Sequence, residues 1–162
     1  MELQIIESLV NELYSQNPSG YQSAAAQLSE WHECSSIINI IEYSIEFLTT
    51  RTNERILFFA ATSLRACIFN KWDDFNESLN EKLVLFLCDY IVNHQENRNN
   101  TSYTFILICL ADLIVLNEDF PINEVFEYFP IDIQIEICSL YFEEKEKEFY
   151  LKLINKNWFP VP

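Results

Sequence analysis

Residues 57–68 read LFFAATSLRACI. Apolar side chains recur in this stretch every three or four residues, the spacing that brings them onto one face of an α-helix. That face consists of Leu57, Ala60, Ala61, Leu64, Cys67 and Ile68. Its two alanines are small enough to let a neighbouring helix approach closely. The stretch therefore predicts a helix that packs against other helices along one side.

Five more helices are predicted around it, because the same spacing recurs in residues 2–15, 21–31, 37–48, 79–91 and 106–114. Ser19 and Gln22 form a capping-box pattern at the start of the second helix, and Asn76 can cap the fifth. Connections of a few residues make consecutive helices antiparallel neighbours.

The resulting three helix pairs recur about every forty residues, the period of HEAT and armadillo arrays. Stacking of the pairs buries apolar faces that would be exposed to water in a single pair. The sequence therefore predicts an all-α fold, an α-solenoid of HEAT- or armadillo-like antiparallel pairs. Residues 1–117 hold the three pairs, and residues 118–162 are expected to continue the solenoid with further short helices.

The pattern after residue 117 is less regular. Two prolines bracket a short apolar stretch near Phe126 that predicts one brief helix. In residues 131–137 isoleucine alternates with polar residues, which at face value indicates a half-buried strand. A single strand would lack backbone partners in a helical chain, so we predict a helix there instead. A final helix is expected to start in the charged run 143–148.

The chain is strongly acidic, with 25 acidic against 10 basic residues and a formal charge of −15. Like charges repel, so direct binding of nucleic-acid phosphates is disfavoured and basic protein surfaces are better candidates. An ordinary solvated surface also explains part of this charge, and composition leaves both interpretations open. A single glycine makes phosphate-cradling loops improbable.

No residue pattern typical of an enzyme or a metal site occurs in the sequence. Walker-type, H-E-x-x-H and G-x-S-x-G motifs are absent, and the five cysteines include no C-x-x-C pair. His32 and Cys34 are two residues apart on a helix and point in different directions. The mixed charges of residues 143–148 are typical of a solvated helix face. We expect no catalysis, no metal and no cofactor.

Membrane insertion is not expected either. The longest apolar run, residues 103–116, contains Asp112 and is shorter than the roughly twenty residues that span a bilayer. The chain opens with Met1-Glu2 and an amphipathic pattern instead of a signal peptide. These features predict a soluble protein of a reducing compartment, with cysteines that act as small buried apolar groups.

Four segments occur in an order and spacing that carry a family resemblance. They read LYSQNP at 13–18, YQSAAAQL at 21–28, FFAATSLRACI at 58–68 ahead of Trp72, and CLADL at 109–113. The first three resemble the N-terminal domain of the importin-β (karyopherin-β) family. The fourth is similar to the transportin and SR-protein import-receptor branch of that family. The resemblance covers about residues 3–116 and includes no catalytic signature.

The resemblance implies a nuclear transport receptor. Such receptors are long HEAT-repeat superhelices whose N-terminal repeats bind the small GTPase Ran in its GTP form. It therefore implies Ran-GTP binding, support of protein import into the nucleus, and shuttling between nucleus and cytoplasm. Cargo proteins and nucleoporins would be contacted through repeats missing here, since 162 residues are far fewer than a complete receptor has. A fragment, a truncated or diverged copy and an exportin-type receptor are alternatives, and so is a helical-repeat scaffold without transport activity.

Candidate contact residues lie on the face of the fourth helix that points away from its apolar stripe. Phe58, Thr62, Arg65 and Phe69 recur there at helical spacing. In a HEAT stack this helix would line the concave side, where two aromatic residues indicate a contact surface. The alternative is that they pack against adjacent helices. Asp112 of the sixth helix is the fifth candidate, facing Ran or capping a neighbouring helix.

Overall fold

The computed structural model describes residues 1–117 and 119–155, with side chains through residue 147. The described part of the chain is helical and contains no strand. Its α-helices are α1 (Leu3–Leu13), α2 (Pro18–Cys34), α3 (Ile37–Thr50), α4 (Glu54–Asn70), α5 (Glu77–Asn93), α6 (Thr101–Leu116), α7 (Ile122–Phe126) and α8 (Ile131–Asn155). Short 3-10 turns follow α4 and α5 at Trp72–Asp74 and Gln95–Asn97. Of the helices so described, none has the length and apolar character needed to cross a bilayer.

Asparagine and serine side chains fix several helix starts. Asn53 and Asn76 accept hydrogen bonds from the first-turn amides of α4 and α5, and Ser36 does the same for α3. The prediction that Asn76 caps α5 is confirmed. The predicted capping box of α2 is wrong, because Asn17 caps that helix and Pro18 occupies its first position. Proline suits this position, since the missing N–H would have no partner inside the helix.

The helices pack in pairs and then in a row. α1 packs against α2, α3 against α4 and α5 against α6, while α4, α6 and α8 pack successively on one another. The predicted small face of α4 is in this row: Ala60 and Ala61 are fully buried, and the Cys109 thiol of α6 lies 3.7 Å from the Ala61 carbonyl. The all-α, solenoid-like prediction is confirmed. One hydrophobic core extends from Ile6 in α1 to Ile137 in α8.

A cleft of about 350 Å³ separates part of α2 from α4. Polar contacts at the end of α2 bridge it: His32 Nε2 lies 3.0 Å from the Ser63 hydroxyl, and Lys71 Nζ donates to the carbonyls of His32 and Ser35. Trp31 of α2 also packs against the ring of Phe59. The Lys71 ammonium thereby satisfies carbonyl groups at the C-terminal end of α2, where cations are favourable.

Helix α8 forms most of the last described segment. Residues 131–137 are helical, as predicted against their strand-like alternation, and Ile133 and Ile137 face the core. The expected separate helix starting in the run 143–148 is wrong, because α8 continues through that run to Asn155. Residues 156–162 of the predicted second segment lie outside the described residues.

The corner between α7 and α8 is held by polar side chains. The Gln134 amide donates to the carbonyls of Phe126 and Phe129, so it satisfies backbone acceptors at the end of α7. Arg98, which lies in the connection between α5 and α6, forms ion pairs with Asp132 and Glu136 in the first turns of α8. The hydrogen bond from Arg98 lowers the pKa of the Asp132 carboxyl.

Candidate partner-binding surface

The four residues predicted on α4 do share one side of that helix, but their surroundings differ. Phe58 is half-buried, and its ring makes an edge contact with Phe105 of α6 at a centroid distance of 5.2 Å. The Thr62 hydroxyl donates to the Phe58 and Phe59 carbonyls within α4. Phe69 is 50% exposed. Phe58 therefore packs inside the array, as the alternative interpretation proposed, whereas Phe69 faces solvent.

Arg65 connects three helices. Its Nε lies 3.3 Å from Asp112 Oδ2 in α6, and its Nη2 lies 3.5 Å from Glu144 Oε1 in α8. The guanidinium also stands over the rings of Phe69 and Phe105, 5.1 and 5.8 Å from their centroids. Arginine suits this position because its planar group can pair with carboxylates while stacking on aromatic faces.

Asp112 is a buried carboxyl and not a surface contact. It is 2% exposed, and its Oδ1 has no hydrogen-bond partner. Burial raises the pKa of the Asp112 carboxyl above its usual value, the nearby negative charge of Glu144 raises it further, and Arg65 opposes both effects. Of the two roles predicted for Asp112, facing Ran is incompatible with this burial. It ties α6 to α4 through Arg65.

The charged cluster includes two residues of α8 that the sequence did not single out. Glu144 is only 7% exposed, although its run was predicted to be solvated, and Lys147 Nζ lies 3.1 Å from its carboxylate. Together with Arg65 and Asp112 they form a group of two basic and two acidic side chains. Nothing local distinguishes Glu144 from its exposed neighbours, since its burial depends on side chains from α4 and α6.

We call the solvent-facing part of this region the Arg65 face, which comprises Thr62, Arg65, Phe69 and Phe105. A shallow hollow of about 370 Å³ lies over these residues, and a smaller one of about 190 Å³ lies between Phe69 and the charged cluster. An exposed aromatic ring beside a guanidinium is a common anchor of protein interfaces. The arrangement can therefore serve contact with a protein.

Histidine and cysteine side chains are placed for packing. Cys67, Cys88 and Cys109 are buried free thiols, and burial raises the pKa of Cys67 to about 11 and that of Cys88 to about 12. Burial, and then the charge of Lys71, lower the pKa of His32. Within residues 1–117 and 119–147 no three metal-ligating side chains gather into a potential metal site.

Comparison with known proteins gives no relative. No family model matches the chain, and neither a curated protein nor a solved structure matches it. The importin-β resemblance accordingly rests on the four sequence segments alone.

Proposed function

We propose that this chain binds other proteins through its helical array and acts as the N-terminal segment of a nuclear transport receptor that recognises Ran-GTP. The Arg65 face supports a protein-binding role, because it joins an exposed aromatic ring to a guanidinium on the row α4, α6 and α8. The choice of Ran comes from the sequence resemblance over about residues 3–116. Protein import and shuttling between nucleus and cytoplasm belong to the same proposal, with cargo and nucleoporins contacted by repeats outside this sequence.

The physical basis of such binding would be a few anchors on a rigid row of helices. The net charge of −15 would attract basic regions of a partner and speed association, an effect that salt weakens. Phe69 would supply the apolar anchor. Arg65 would be held in place by Asp112 and Glu144, so it would not need to be ordered on binding.

A scaffold without transport activity is the second candidate, and one observation favours it. Most of the predicted contact residues contact other residues of this chain. Phe58 packs against Phe105, and Arg65 forms ion pairs with Asp112 and Glu144. A chain that retains the helical array but not a receptor's contact residues would bind different partners on the same face.

A binding assay with purified Ran separates the two candidates. The immobilised chain is exposed to Ran loaded with a non-hydrolysable GTP analogue or with GDP. The receptor proposal predicts a clear preference for the GTP form and a loss of about tenfold or more in affinity for Phe69→Ala, because interface anchors dominate binding energy. Tyr21→Ala is the matched control, since Tyr21 is an aromatic residue of similar exposure, 53%, on α2. Equal or absent binding of the two forms would reject the receptor proposal and leave the scaffold.

A further inference from the structure

A groove runs beside α5, and none of the four residues of the Arg65 face lines it. It consists of two adjoining hollows of about 520 and 610 Å³ that share Asn80, Glu81, Asn117 and Pro121. Val84 and Leu85 of α5 line one hollow together with Tyr128, and Trp72 and Phe75 line the other. We call this region the α5–α7 groove.

The groove lies where the short helix α7 follows the much longer helix α5, because α7 can cover only part of α5. Helix α5 has 17 residues and α7 has 5, which correspond to lengths of about 26 Å and about 8 Å at 1.5 Å per residue. The outer side of α5 is therefore left partly open. Leu85 and Tyr128 are consequently 66% and 73% exposed, respectively.

The charges around the groove have one sign. Five carboxylates line the two hollows, and the described lining residues include no lysine, arginine or histidine. The five carboxylates belong to Glu77, Glu81, Asp119, Glu124 and Glu127. Carboxylates along an apolar concavity produce a negative potential that attracts cations and repels phosphate groups. The groove thus combines an apolar floor with an acidic rim.

Asn80 adds a hydrogen-bonding group at the centre. It lines both hollows, and its Oδ1 is covered by neighbouring atoms without accepting a hydrogen bond. A covered acceptor without a donor costs free energy that a suitable donor recovers. The terminal torsion of asparagine is broad, so a small rotation can present this oxygen to a group in the groove.

We propose that the α5–α7 groove binds an extended segment of another protein in which lysine or arginine side chains alternate with apolar ones. The stretch from Asn76 to Leu85 rises about 14 Å, which about four extended residues would cover. Apolar side chains would pack on Val84, Leu85 and Tyr128 while basic ones meet the acidic rim. A backbone amide of the segment would donate to Asn80. This surface is separate from the Arg65 face, so the proposal does not depend on Ran.

The test uses fluorescein-labelled peptides and the full chain. The probe peptide is KLKLKK, and the comparison peptides are KSKSKK, without apolar side chains, and ELELEE, with the charge reversed. Fluorescence anisotropy should show KLKLKK binding tightest and ELELEE not binding. The double variant Glu81→Lys with Glu124→Lys should weaken KLKLKK about tenfold or more, because two attractive contacts become repulsive.

The control is the double variant Glu30→Lys with Glu42→Lys, which changes the net charge equally at exposed positions on α2 and α3. It should leave most of the affinity intact. Equal losses in both double variants, or equal binding of KSKSKK and KLKLKK, would overturn the proposal. Amide chemical-shift mapping of KLKLKK on the unmodified chain gives a second criterion that does not depend on any variant. Shifts concentrated on α5 and α7 support the groove, and shifts concentrated elsewhere reject it.

Discussion

Arg65 has two roles that compete for one guanidinium group. It pairs with carboxylates of α6 and α8, and it stands beside the exposed ring of Phe69 on the proposed contact face. Removing it would take away the cation that Asp112 and Glu144 share and would break the link between α4, α6 and α8. A loss of binding in an Arg65 variant would therefore not by itself identify a contact residue, whereas a change of Phe69 removes a ring contact to Arg65 but none of the ion pairs of the charged cluster.

The pH dependence of stability should reveal the buried carboxyl. Because burial raises the pKa of Asp112 in the folded state, the folded chain keeps a proton that the unfolded chain loses as pH rises. The stability contributed by Asp112 is full below its unfolded pKa and is lost as pH rises through the folded pKa. Asparagine does not ionise. We expect the stability of Asp112→Asn relative to wild type to improve by about 1 kcal/mol or more between about pH 5 and pH 8, since a tenfold change in proton affinity is worth about 1.4 kcal/mol.

Urea unfolding at the two pH values measures this difference. Asp89→Asn on the exposed side of α5 is the control, and its stability relative to wild type should change little with pH. If Asp112→Asn behaved like the control, the carboxyl would be ionised in both states and its burial would have no energetic consequence.

The surroundings of some single residues could not be predicted from the sequence. Spacing along α4 places Phe58 and Phe69 on one side, and it cannot tell which of them another helix covers. Phe105 of α6 packs against Phe58, which is half-buried, whereas Phe69 is 50% exposed. Asp112 was predicted either to face Ran or to cap a neighbouring helix, and in the structure it is buried and pairs with Arg65 of α4 instead. The Arg65 partner in α8 could not be found from local pattern because the two residues are far apart in the chain.

Helix caps give the clearest link from sequence to single elements. The Asn76 side chain accepts a hydrogen bond of 2.7 Å from the Leu79 amide at the start of α5. Asn76→Ala should lower the free energy of unfolding by about 1 kcal/mol, the usual value of such a cap. Asn100→Ala is the matched control, because Asn100 occupies the same position before α6 and its side chain makes no capping bond. Thermal and urea denaturation would compare the two, and equal losses would argue against the cap.

Apolar spacing predicted the helices of residues 1–117 because it repeats over several turns, so small local departures do not change the result. It failed at the end of α8. Residues 143–148 are mostly charged, which suggests a break or a solvated start. In the continuous helix Glu144 contacts Lys147 of the same helix and Arg65 of α4, and only the second contact depends on tertiary packing. The helical state of residues 131–137 was predictable only by considering the whole chain, since a single strand would have no partner.

The molecule shares one hydrophobic core among all its helix pairs, and this bears on how it unfolds. Core residues extend from α1 to α8 and include Cys67, Cys88 and Cys109 in three successive helices. We expect the three thiols to become reactive together at one urea concentration, while the exposed Cys34 reacts without denaturant. Pulsed alkylation followed by peptide mass spectrometry would measure each midpoint. Separate midpoints would mean that the pairs unfold as independent repeats.

The cleft between α2 and α4 has a mechanical consequence. The row of α4, α6 and α8 is joined by side-by-side packing, whereas the last turn of α2 reaches α4 across open space through Lys71, His32 and Trp31. A force that pulls the two ends of the array apart would meet these contacts together with the packing of α1 on α4 and the Arg51–Glu7 ion pair. The first helix pair would separate from the array only where both sets of contacts break.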